Sequence, residues 1–111
     1  MVAPATVVIP NFNGRDLLSA VIGSALAQRP RPAEILVVDD ASTDSSPALA
    51  QSLGARVLTL TENRGFAHAV NLGVQESSTE WVAIVNSDVE LDPAWLAALL
   101  TAARRADAVF A

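Results

Sequence analysis

Ile35-Leu36-Val37-Val38-Asp39-Asp40-Ala41-Ser42 decides how the chain folds. Four consecutive aliphatic residues without polar alternation read as a strand buried on both faces, and such strands belong to parallel sheets covered by helices. The run stops at two adjacent carboxylates, Asp39 and Asp40. Presenting both to solvent at a strand end is electrostatically unfavourable, so hydrogen-bond donors or a cation should compensate them there. A second run, Trp81-Val82-Ala83-Ile84-Val85, breaks in the same way into Asn86-Ser87-Asp88. Ligands of open α/β sheets bind outside the carboxyl ends of the strands, so two acidic breaks on one sheet edge define a single candidate site.

Upstream, Thr6-Val7-Val8-Ile9 is β-branched and stops at Pro10, after which Asn11-Phe12-Asn13-Gly14 supplies loop residues and Asp16 opens a helical pattern. Leu18, Val21, Ile22, Ala25 and Leu26 recur at helical spacing until Arg29-Pro30-Arg31-Pro32 ends the helix. The decisive strand then covers Glu34 to Val38. Downstream, one of Asp40, Ser42 and Asp44 is expected to cap a helix from Ser45 to Leu53, with Pro47 in its first turn and Gly54 at its end. A third strand from Arg56 to Leu60, a helix from Phe66 to Gln75, a fourth strand from Trp81 to Val85 and an amphipathic helix from Pro93 to Arg105 follow.

The order βαβαβαβα predicts an α/β fold in three layers, α/β/α, with a mostly parallel sheet and right-handed crossovers. Asp107-Ala108-Val109-Phe110-Ala111 reads as the beginning of a fifth strand. We therefore expect the first part of a larger domain, apparently truncated, whose unfinished C-terminal edge pairs with a partner strand or with a second copy as a homo-oligomer.

With 111 residues, 51% of them hydrophobic and 17% charged, the chain is expected to form one compact domain rather than a disordered segment. Its seven basic residues are all arginine and its net charge is -5, which argues against nucleic acid as a partner. The absence of lysine removes P-loop and Schiff-base chemistry. The absence of cysteine removes disulfides and thiolate zinc sites, and one histidine, His68, cannot build a histidine cluster, so any metal must be held by oxygen. The longest uncharged helical stretch, Leu17 to Gln28, is too short to span a bilayer and the N-terminus lacks a basic leader. A soluble, cytoplasmic domain is the expectation.

Four motifs in series resemble the family 2 glycosyltransferases, whose fold is the GT-A type, a Rossmann-like nucleotide-diphospho-sugar transferase architecture. They are Val8-Ile9-Pro10-Asn11-Phe12-Asn13-Gly14, Val37-Val38-Asp39-Asp40-Ala41-Ser42-Thr43-Asp44, Asn63-Arg64-Gly65-Phe66-Ala67-His68-Ala69-Val70-Asn71-Leu72-Gly73 and Val85-Asn86-Ser87-Asp88-Val89. The resemblance covers nearly the whole chain and concerns the donor-binding half of such enzymes. It implies that the loop with Pro10, Asn11, Phe12 and Asn13 lines the base and ribose pocket. Phe12 offers a ring face and the asparagines offer amide hydrogen bonds. Asp39, Asp40 and Ser42 would take part in base and ribose recognition, with Asp40 facing the base.

Asn63, Gly65 and Asn71 correspond to the segment that packs under the nucleotide. Gly65 permits close backbone approach or positive φ, and Asn71, polar inside a helix, should be hydrogen-bonded. Arg64 and His68 are read as surface neighbours. Asn86, Ser87 and Asp88 stand where the family has its Asp-x-Asp motif, so Asp88 is the expected ligand of a divalent Mg or Mn ion on the donor diphosphate. An acidic site needs such a cation to hold a diphosphate. Asn86 in place of the first aspartate leaves a neutral hydrogen-bonding group there.

By resemblance the activity is inverting sugar transfer, hexosyl or deoxyhexosyl, from a nucleotide-diphosphate sugar to a saccharide or lipid-linked acceptor in the longer protein. The implied setting is cell-wall or polysaccharide biosynthesis, cytoplasmic or peripheral at the inner face of the membrane. The catalytic base belongs to the acceptor half and is assigned to no residue here. Three other readings are weighed. A receiver-type magnesium-binding signalling domain needs an acidic pair after strand one and a lysine after strand five. A dinucleotide-binding domain needs Gly-x-Gly-x-x-Gly after strand one, which Asn11-Phe12-Asn13-Gly14 does not supply. A non-catalytic α/β interaction scaffold is separated from the enzyme by nucleotide binding.

Overall fold

A computed structural model of the chain describes residues 2–106. The elements are β1 (Val2–Asn11), α1 (Arg15–Leu26), β2 (Arg31–Asp39), α2 (Ser46–Ser52), β3 (Arg56–Thr59), α3 (Phe66–Glu76), β4 (Trp81–Ile84) and α4 (Trp95–Ala106). All pairings are parallel and the strand order is β3-β2-β1-β4. The expected fifth strand at Asp107–Ala111 lies outside the described residues.

Alternation along the central strands divides the core into two faces. Val7 and Ile9 of β1 and Ile35 and Val37 of β2 pack against Leu18, Val21, Ile22 and Ala25 of α1 and Ala50 of α2. Their neighbours Val8, Leu36 and Val38 point the other way, onto Ala69 of α3. Val7–Ile9 and Ile35–Val38 are therefore apolar at every position, which is why these runs show no polar alternation. Helix α4 covers the near end of the sheet, where Leu96 and Leu100 pack on Ala3, Ala5 and Ala83. Trp95 touches this cluster and the α1 cluster, so α4 lies beside α1 and the layers are as expected. Helix α3 sits close to the sheet because position 73 is glycine: a Cβ there would stand 2.4 Å from a Val8 methyl.

The central strands are longer than their apolar cores suggested. β1 continues through Pro10 to Asn11, and β2 starts at Arg31 and reaches Asp39. Pro10 is tolerated because its flank toward β4 is already free. The β1–β4 pairing ends at Val8↔Ile84 with the Val85 N–H donating to the Val8 carbonyl at 2.9 Å. Two residues later Pro10, which has no N–H, faces this unpaired flank, and a crevice lies between the two strand ends. The connections also reverse direction there, from α1 toward β2 on one side and through α3 to β4 on the other, which marks the binding crevice of an open α/β sheet. No described helix is long and apolar enough to cross a membrane.

Candidate functional site

The two aspartates that end β2 are buried rather than presented to solvent: Asp39 is 0% exposed and Asp40 5%. Side chains alternate along a strand, so the two carboxylates face opposite layers and serve different loops. Asp39 Oδ1 accepts hydrogen bonds from Asn11 Nδ2 at 2.9 Å and from the Ser42 hydroxyl at 2.7 Å, and its Oδ2 accepts the Ser42 N–H at 2.9 Å. Asp40 Oδ1 accepts the Arg64 N–H at 2.7 Å and Oδ2 the Gly65 N–H at 2.9 Å. The expected compensation is thus present, supplied by amides and a hydroxyl instead of a cation. Asp40, assigned above to the base, spends both oxygens on the loop before α3.

The loop after β1 is laced to the loop after β2. Asn13, at a φ of 52°, donates its N–H to the Ser42 hydroxyl at 2.8 Å and accepts the Thr43 and Asp44 N–H groups on its Oδ1 at 2.8 and 3.2 Å. Asp44 then serves two helices. Its Oδ2 accepts the Arg15 N–H at the start of α1 at 3.3 Å and its Oδ1 the Ser46 N–H at the start of α2 at 2.9 Å, with the Ser46 hydroxyl alongside. Of the three candidates, Asp44 is the one whose side chain bonds the first N–H of α2, while the residue at the N-cap position is Ser45. The Ser46 hydroxyl foremost, then the two N–H groups and the Arg15 charge, hold its carboxyl below the ordinary aspartate range against an opposing effect of desolvation.

Asn11 is 3% exposed and its Oδ1 is buried without a hydrogen-bond partner. That oxygen fills the space beside Gly14, where an added Cβ would lie 2.4 Å from it and 3.4 Å from the Ser87 hydroxyl. The first turn of α1 and the loop after β4 therefore meet at Gly14. Asn86 and Asp88 are exposed, Ser87 is half-buried, and none of the three side chains makes a hydrogen bond among the described residues. Phe12 is 52% exposed at the same edge.

Gly65 is needed for its backbone: its φ is 91° and nothing lies within 4 Å of a Cβ placed there. Asn63 donates to the Asp40 carbonyl at 3.3 Å. Asn71 differs from expectation. The buried face of α3 is carried by Ala69 and Gly73, and a residue midway between them points outward, so Asn71 is exposed and has no side-chain hydrogen bond among the described residues. His68 is exposed, as a surface neighbour should be.

Two features went unread in the sequence. An open cleft of about 550 Å³ runs from Ile84 and Asn86 past Val89 to Trp95, with Phe66, 60% exposed, on its rim. The other is Gln28, 3% exposed two residues beyond α1, which donates to the Ser24 carbonyl at 3.1 Å and the Asp92 carbonyl at 2.7 Å and accepts the Leu96 N–H at 2.9 Å. The Ser24 hydroxyl accepts the Leu91 N–H at 3.0 Å. The available signal for Gln28 was its position on the Leu18, Val21, Ile22, Ala25 stripe, where a polar side chain must find partners.

No group of three or more His, Asp or Glu side chains able to hold a metal occurs among the described residues. Asp88, exposed and without an ion pair among them, fits a different arrangement. Magnesium-type ions commonly bind through one or two carboxylates plus substrate phosphates and water. The donor set suits an ion that arrives with a diphosphate, not a free-standing metal centre.

A parallel sheet with helices on both faces and a switch-point crevice is the architecture of the GT-A transferases, and solved structures agree on the fold. The chain matches Staphylococcus aureus TarS 1-349 with a TM-score of 0.80 at 24% identity, over 95% of this chain and 33% of that one. It matches the mannosyltransferase PcManGT from Pyrobaculum calidifontis, solved with GDP-Man and Mn2+, with a TM-score of 0.77 at 26% identity, over 87% and 33% of the two chains. The family model for glycosyl transferase family 2 covers residues 6–111, and the chain belongs to that family. Among curated relatives, the succinoglycan biosynthesis protein ExoO of Rhizobium meliloti is 36% identical over 110 residues, which is 96% of this chain and 31% of that protein. The chain thus spans under a third of this relative's length.

Proposed function

We propose that residues 1–111 are the donor-nucleotide-binding part of a glycosyltransferase, which takes a nucleotide-diphosphate sugar together with Mg or Mn. In the longer protein the sugar would pass, with inversion, to a hydroxyl of a saccharide or lipid-linked acceptor. One observation carries this reading: Phe12 and Asp88 stand exposed on loops that flank the β1–β4 crevice, while Asn13, Asp39, Asp40 and Ser42 are held in hydrogen bonds.

Phe12 would stack on the base. Asn11 would back this pocket, its amide donating to Asp39 and its Oδ1 packed against Gly14. Asp39, Asp40, Asn13 and Ser42 act as the frame that holds these groups, since their oxygens are already engaged. Asp88 would hold the divalent ion on the diphosphate, with Asn86 and Ser87 offering neutral hydrogen bonds to the phosphates. Such an ion supplies Lewis-acid stabilisation of the departing nucleoside diphosphate. The general base would come from the acceptor-binding half. A role in cell-wall or polysaccharide synthesis is supported by similarity to ExoO, whose name records succinoglycan biosynthesis, and a cytoplasmic setting is proposed from the sequence alone.

Calorimetric titration with UDP, dTDP and GDP, each with and without manganese, on this chain and on Asp88→Ala, tests the proposal. Metal-dependent binding that disappears in the variant is the expected result. A folded chain that binds none of the three would favour the scaffold reading.

A further inference from the structure

The loop that carries Asp88 is long, from Val85 to Ala94, and its own side chains at positions 86–88 are tethered to nothing among the described residues. Its far end is anchored instead. The last turn of helix α1 and the segment just after it grip that end: Ser24 accepts the Leu91 N–H, Gln28 donates to the Asp92 carbonyl and accepts the Leu96 N–H, and the Arg29 N–H donates to the Pro93 carbonyl at 3.1 Å. At the near end, Ser87 rests beside Gly14 in front of the first turn of the same helix. Helix α1 and the residues that flank it therefore touch both ends of the loop.

We propose that Gln28 is a positioning residue for Asp88. By fixing where the loop ends and α4 begins, it sets how far the 86–90 segment can move from the crevice. The chemistry is specific to a side-chain amide. Its NH2 group donates to two carbonyls and its oxygen accepts an N–H at the start of a helix, so glutamate keeps one of the three bonds and methionine none. Burial makes each bond consequential, because unpaired groups there cannot turn to water. The part that concerns the donor rests on the functional reading above, and the anchoring part does not.

The test uses this chain as the wild type with Gln28→Met and Gln28→Glu. Amide hydrogen exchange without ligand is followed over residues 89–96 and over the β1–β2 core, and UDP, dTDP and GDP are titrated with and without manganese. For Gln28→Met we expect exchange at 89–96 to rise about tenfold while the core changes less than about twofold. The manganese-dependent dissociation constant should rise about tenfold, with metal-free nucleotide affinity unchanged. Gln28→Glu should fall between the two and guards against a methionine variant that does not fold. A uniform rise in exchange, or none at 89–96, would overturn the anchoring. A local rise that leaves manganese-dependent affinity intact would overturn the positioning. If the wild type binds no diphosphate, the donor reading fails and exchange alone decides the anchoring.

Discussion

Asp40 Oδ2 accepts the Gly65 N–H at 2.9 Å, and this bond joins the end of β2 to the residue from which α3 departs. With the Arg64 N–H on Oδ1, one carboxylate holds two backbone donors that would otherwise be left without a partner.

Replacing Asp40 with alanine should therefore destabilise the fold by about 2–3 kcal/mol, the range for losing charge-assisted hydrogen bonds to partly buried donors. Asp40→Asn, which keeps one acceptor, should lose about half as much. Urea denaturation followed by circular dichroism reads both. Equal stability of all three proteins would show that the loop before α3 is held by something else.

Two helical glycines should respond to alanine with opposite signs. Gly73→Ala places a methyl 2.4 Å from Val8 and should cost about 1–3 kcal/mol as α3 is pushed off the sheet. Gly23→Ala meets nothing within 4 Å on an exposed helical position and should stabilise by about 0.5–1 kcal/mol. Thermal melting of the two variants side by side gives the signs directly.

Acid should release Asp44. Its folded-state pKa lies below the ordinary aspartate value, so its contribution is complete above the unfolded pKa and is lost as pH falls through the folded one. The melting temperature of the wild type should exceed that of Asp44→Asn at neutral pH, and the gap should close below about pH 4. A gap that persists at low pH would mean the side chain contributes by packing rather than by charge.

Phe12 and Asp88 should fail separately. Phe12→Ala is expected to weaken nucleotide binding about tenfold in the presence and absence of manganese, the scale of losing one base–aromatic stack. Asp88→Asn should abolish the manganese dependence and leave metal-free affinity in place. Both side chains are exposed, so melting temperatures should stay near that of the wild type.

Strand and helix order, the parallel sheet and the position of the crevice were legible because Val7–Ile9 and Ile35–Val38 are apolar on both faces and each run ends in polar loop residues. The hydrogen-bond frame was less so. Adjacent carboxylates looked like a pair, but the period of two sends Asp39 toward Asn11 and Asp40 toward Gly65. Strand ends reached past their apolar cores because β1 and β2 pair on through Pro10 and Asn11, where backbone bonding rather than hydrophobicity sets the limit. Gln28 was illegible as an anchor since its partners lie some sixty residues away, at Asp92 and Leu96. Asn71 misled because a polar residue within an apolar helix can equally mark its outer side.

The lacing of Asn13, Ser42, Asp39 and Asp40 has a thermodynamic consequence for any ligand. That side of the crevice is assembled before anything arrives, so a nucleoside would meet a surface that loses little freedom on contact. Asn86, Ser87 and Asp88 carry no such ties, and the ordering entropy of binding would fall on them. A bare nucleoside should then bind with a small entropic penalty, while each added phosphate brings heat together with lost disorder. On the proposed reading, the nucleoside side of the crevice would be set before binding and the hold on the diphosphate would form only as the ligand arrives.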